Sequence, residues 1–194
     1  MYKKTQHFTL VALFVGLIIL LGMTPLGLIP LGFIYVTILC VPVIIGTLLM
    51  GLNTGILLGA AFGTVSTIKM FMAPSALAGN LLGANVLLAV AMCIVPRLIF
   101  PVVSYVAYHS LLKSKAGKLS SAIAAALGSL TNTVLYLGLM LFFYSLAGLD
   151  GSAVQALILS TGLIAGTSEA VVAALLVPPI LFALQKMVKK PKEL

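Results

Sequence analysis

Six apolar runs, each near the length needed to cross a bilayer and each bounded by turn residues or lysines, dominate this sequence. A spanning helix takes about 20 mostly apolar residues, and the runs fall at 8–24, 35–51, 54–72, 88–112, 120–147 and 155–187. Only 7% of the residues are charged and 62% are hydrophobic. A soluble domain carries about a quarter charged residues, so the surplus apolar surface has to face lipid. The expected fold is all-α, an integral membrane bundle of six transmembrane helices forming a single domain over 1–194. The joint Gly51-Leu52-Asn53-Thr54-Gly55 is so short that the second and third spans form an antiparallel hairpin. Leu20 to Pro30 carries no small-x-small cleavage pattern, so the first run is read as a retained span.

The lysines orient this bundle, because Lys and Arg stay on the cytoplasmic side during insertion. Lys3 and Lys4 precede the first span, Lys113, Lys115 and Lys118 separate the fourth from the fifth, and Lys186, Lys189, Lys190 and Lys192 end the sixth. With six spans all three groups share one side, and both termini are expected to be cytoplasmic. The formal charge of +8 therefore reports topology and not a nucleic-acid surface, which would need one continuous basic stripe. The external face receives loops at 25–34, 73–87 and 146–154. The middle one, small and mildly apolar, reads either as a lid over the bundle or as a plain connector.

Several functions are excluded. His7 and His109 sit at cytoplasmic helix ends without a catalytic partner, so no catalytic residue is assigned. No phosphate-binding Gly-Lys-Ser/Thr loop is present, so ATP hydrolysis is not a property of this chain. Cys40 and Cys93 lie in apolar runs with no metal-ligand spacing and read as buried small hydrophobes; no metal or cofactor is expected. No internal half-chain repeat supports an inverted-repeat transporter.

Charge inside a span costs about 2.5–3.5 kcal/mol on insertion scales, and two such residues need a reason. Arg97 stands between Pro96 and Pro101 in the external half of the fourth span, and Glu169 near the middle of the sixth. Either they pair and fix helix packing, or they line a polar cavity that meets a ligand. Asn132 and Tyr136 lie four residues apart on one face of the fifth span, at similar depth. Lys69, at the outer end of the third span, and Asn85, in the middle external loop, complete the candidate binding set, although Lys69 can also snorkel to the surface. In the first span Ala12 and Gly16 put two small residues on one face, a groove for another helix.

With these features assembled, the chain resembles the substrate-binding S components of energy-coupling-factor (ECF) vitamin transporters, over nearly its whole length. The resemblance rests on six spans, cytoplasmic termini, the Ala12/Gly16 motif (where the family usually has a second Ala) and the lid-like external loop. The stretch from Ile29-Pro30-Leu31-Gly32-Phe33-Ile34-Tyr35 into Val41-Pro42-Val43-Ile44-Ile45-Gly46, with Ser129-Leu130-Thr131-Asn132-Thr133, looks like the pantothenate branch. That resemblance implies capture of a vitamin from outside. It also implies docking through Ala12 and Gly16 onto a transmembrane coupling subunit served by two cytoplasmic ATPase subunits. Arg97 would then hold a carboxylate, Asn132 and Tyr136 hydroxyl or amide groups, and Glu169 a hydroxyl proton or Arg97 itself. Pyridoxine or a hydroxymethylpyrimidine would favour Glu169 over Arg97, and a membrane assembly protein would bind no vitamin at all.

Overall fold

A computed structural model describes residues 2–24, 27–30, 35–112, 119–157 and 162–189 of the chain. In chain order it contains α1 (Tyr2–Met23), β1 (Leu28–Pro30), β2 (Tyr35–Thr37), α2 (Cys40–Met50), α3 (Leu52–Met72), α4 (Ala76–Ala84), α5 (Val86–Leu112), α6 (Ser120–Leu146), α7 (Ser152–Leu157) and α8 (Leu163–Lys189). Five of these helices are long and apolar enough to cross a membrane. Large apolar side chains such as Phe71, Val106, Val134 and Leu175 are left exposed on them, the arrangement a bundle adopts when lipid is its solvent.

Two expected boundaries change. The run 35–51 is not one spanning helix: residues 35–37 form strand β2, and α2 has only 11 residues. At 1.5 Å per residue α2 is about 16 Å long, against a hydrocarbon core of about 30 Å. The run 155–187 also divides, because a helical turn ends at Leu157 and α8 begins at Leu163. The external loop at 25–34 falls largely outside the described residues, as do Lys113, Lys115 and Lys118.

Contacts fix the directions of the elements. The His7 Nε2 and Thr54 Oγ1 atoms meet at 3.3 Å, and Gly22 lies against Val65, so α1 and α3 run parallel. Gly59 meets Arg97 while Gly63 meets Ile94, so α3 and α5 are antiparallel; Gly128 against Ser104 and Tyr136 beneath Arg97 make α5 and α6 antiparallel too. The N-terminal end of α1 and the C-terminal end of α5 thus lie at one end of the bundle, the end that the positive-inside rule would place in the cytoplasm.

Helix α2 sits at the centre of this arrangement, touching α1, α3, α5, α6 and α8. Every residue from Cys40 to Leu48 is buried, as expected of a helix apolar on all sides. It reverses into α3 through one residue, Gly51, whose φ of 97° suits glycine alone without strain. At its other end the chain closes into an antiparallel β-hairpin with Leu28 opposite Thr37 and Pro30 opposite Tyr35. The Ile38 amide donates to the Gly27 carbonyl at 3.0 Å, which ties the base of the hairpin. Because α1 ends near the level of Val65 and α2 near mid-bundle, α3, α5 and α6 rise above both and enclose a space.

One glycine sets the spacing at that space. A Cβ on Gly59 would collide with the Arg97 carbonyl, a carbonyl whose helical donor is missing because Pro101 has no N–H. Gly59→Ala is expected to push α3 from α5 at Arg97 and to cost about 1–3 kcal/mol, as overpacking does. Thermal unfolding of the purified protein in detergent measures it; an unchanged midpoint would show that the two helices are free to separate.

Candidate functional site

A cavity of about 460 Å³ opens where α1 and α2 stop short. Gly22 and Leu39 floor it, Phe62, Ser66 and Lys69 form its α3 wall, Arg97 and Tyr136 close the α5–α6 side, and Ser75 and Ala78 lie at its mouth. Its volume falls within the roughly 300–1,000 Å³ usual for small-molecule sites.

Arg97 dominates the chemistry. Its side chain is only 9% exposed, and its guanidinium carbon lies over the rings of Phe62 and Tyr136, 5.1 and 4.6 Å from their centroids. Those rings stabilise the cation through their quadrupoles; Phe100 holds Phe62 edge-on at 6.3 Å. Nε and Nη1 are buried without a hydrogen-bond partner. A buried donor left unmade costs about 1–3 kcal/mol, more when charged, and among the described residues no acceptor meets these two.

The mouth is built by α4. Ser75 caps it, its hydroxyl accepting from the Ala78 amide at 3.4 Å, and the Tyr144 hydroxyl donates to the Leu77 carbonyl at 2.6 Å. Ala78 and Leu81 are buried against a cluster that includes Met70, Met92 and Met140. The middle external loop is therefore a structured cover and its helix forms part of the cavity wall.

Other candidate residues lie elsewhere. Asn132 is buried beneath the cavity, its amide donating weakly to Cys40 Sγ at 3.6 Å, while its Oδ1 finds no partner. Glu169 accepts from the Thr133 hydroxyl at 3.0 Å and does not line the cavity. Asn85 accepts from the amides of Leu87 and Leu88 at 3.0 and 3.2 Å, which caps the start of α5. Ala12 and Gly16 are exposed on α1, with open space beside Gly16. Asp150 receives the Ser152 amide and hydroxyl, and these bonds hold its carboxyl below the ordinary value.

Residues 6–181 match the family described as ECF transporter, substrate-specific component. The chain belongs to this family. No curated protein matches it. As an ECF substrate-specific component it is a multi-pass cell-membrane protein and the substrate-binding subunit of an ECF importer, working with an ECF module and a small-molecule substrate.

Sequence reasoning missed Phe62, Ser66 and Ser75. Phe62, Ser66 and Lys69 follow one another at helical spacing on a single face, so extending the stripe back from Lys69 finds the first two. Ser75 carried only the faint signal of a capping residue ahead of an apolar turn.

The Thr133 bond to Glu169 gives a test of what that acid does. Thr133→Val is expected to lower stability by about 1–3 kcal/mol through loss of a half-buried hydrogen bond to a carboxylate while leaving substrate affinity within twofold. A fall in affinity without a fall in melting temperature would put Glu169 in the binding site.

Proposed function

We propose that this S component captures pantothenate from outside and delivers it through the ATP-driven ECF module. The observation that carries the reading is Arg97: a buried cation with unpaired donors on a cavity of vitamin size. Pantothenate is a monoanion with an amide and hydroxyl groups. Its carboxylate would take a charge-assisted bond from Arg97, and its amide and hydroxyls would meet Tyr136 and Ser66, which line the cavity.

The competing ring vitamins are less well supported. A pyridine or pyrimidine seeks an aromatic face, and Phe62 and Tyr136 already turn theirs to the Arg97 guanidinium. A ligand favouring an acid would need Glu169, which the Thr133 hydroxyl engages away from the cavity.

Delivery follows from the open face of α1. Ala12 and Gly16 are exposed on α1, and among the described residues nothing lies beside Gly16; small residues of this kind permit close helix contact in a membrane. The transmembrane coupling subunit would seat there, with the two cytoplasmic ATPases supplying work. Reorientation of the loaded S component in the bilayer would then turn the cavity inward.

A panel of pantothenate, pyridoxine and hydroxymethylpyrimidine, scored by thermal stabilisation of the purified protein, tests the ligand. A vitamin at about 100 times its dissociation constant should add roughly 2.7 kcal/mol, and stabilisation by pyridoxine alone would sink the pantothenate reading. Arg97→Ala should weaken pantothenate binding by about 2–5 kcal/mol, the range for truncating one partner of a buried charge pair. Unchanged binding would remove Arg97 from the site.

A further inference from the structure

Of the eleven basic residues in this chain, only Arg97 and Lys69 lie outside the terminal groups and the 113–118 segment. Arg97 has its role at the cavity wall. Lys69 has none so far, and its position runs against the bias that keeps lysine off the external side. It occupies the last turn of α3, is neither fully buried nor fully exposed, and lines the same cavity as Arg97 beside the residues of the mouth.

Among the described residues no acid lines the cavity beside it. The chain has three acids in all. Asp150 is engaged by Ser152 on the surface, Glu169 by Thr133 away from the cavity, and Glu193 is outside the described residues. The cavity wall, among the described residues, is therefore cationic at two depths, with Lys69 toward the mouth and Arg97 buried.

We infer that Lys69 is the capture residue of this site: it draws the anionic vitamin into the mouth and sets the association rate, whereas Arg97 retains the vitamin and sets the dissociation rate. This inference rests on the pantothenate reading above. The physical basis is the difference in exposure. A partly solvated charge acts over about 10 Å at 0.1 M salt and is screened as salt rises, which speeds encounter but holds little. A desolvated donor acts only at contact and is lost only when the ligand leaves. Rim charges typically change on-rates and salt dependence, and buried partners change off-rates. Lys69 also makes the mouth selective, since a neutral analogue gains nothing from it.

Rapid-mixing binding of radiolabelled pantothenate to the full chain in uncharged nanodiscs separates the two roles. Lys69→Gln should slow association roughly 3- to 10-fold at low ionic strength, the lower end of electrostatic steering, with dissociation unchanged within twofold. Lys69→Arg should restore the wild-type rate. The deficit should vanish at high salt, and pantothenol, in which a CH2OH group replaces the carboxylate, should show no deficit at any salt. The salt dependence of the wild-type on-rate carries the same test without a substitution, should Lys69→Gln fail to fold. A salt-independent wild-type on-rate, or a Lys69→Gln defect confined to dissociation, would overturn the inference and leave the pantothenate reading standing. Failure of wild-type protein to bind pantothenate at all would overturn both.

Discussion

Hydrocarbon offers no partner to a free peptide group, and this protein is arranged around that fact. Helices satisfy their own backbone, so most of the bundle crosses in helical form. Among the described residues the chain also forms the β1–β2 hairpin, whose strands bond to each other and whose base is tied by the Ile38 to Gly27 bond. It precedes the short α2 and packs against α8. The short helix and the cavity are one structural decision: an 11-residue α2 leaves unfilled the volume that a full span would have occupied.

Arg97 is the costly element placed in that volume. An intramembrane arginine needs compensation, and the structure supplies it in parts. Two aromatic rings face the guanidinium. Those contacts lower the cost without ending it, since among the described residues two donors have no hydrogen-bond partner. On the function proposed above, that unclaimed stability is what an anion would recover on binding, which is how a binding site and a stable core come to differ.

The sequence revealed what hydropathy and charge can reveal. α3, α5 and α6 stand within two residues of the expected bounds, because lipid imposes a length that composition reports directly. The shortness of α2 was hidden: Tyr35-Val36-Thr37 runs into the apolar helix that follows with no charge or glycine between them, and a short apolar run does not declare strand or helix. Arg97 and Lys69 were visible as charges out of place, and the structure puts both on the cavity with Tyr136. Glu169 drew attention by the same rule, yet its bond comes from Thr133, 36 residues away, a pairing no local pattern encodes. Phe62 was silent because an aromatic residue in an apolar helix is unremarkable until something charged is found opposite it.

The unpaired charge of Arg97 also bears on the electrical side of import. An inside-negative membrane potential opposes inward movement of an anion by about 2.3 kcal/mol per 100 mV for each elementary charge moved. On the pantothenate reading, a carboxylate against the Arg97 guanidinium would cross as one half of a neutral pair, and the potential would act instead on the return of the empty subunit with its uncompensated cation.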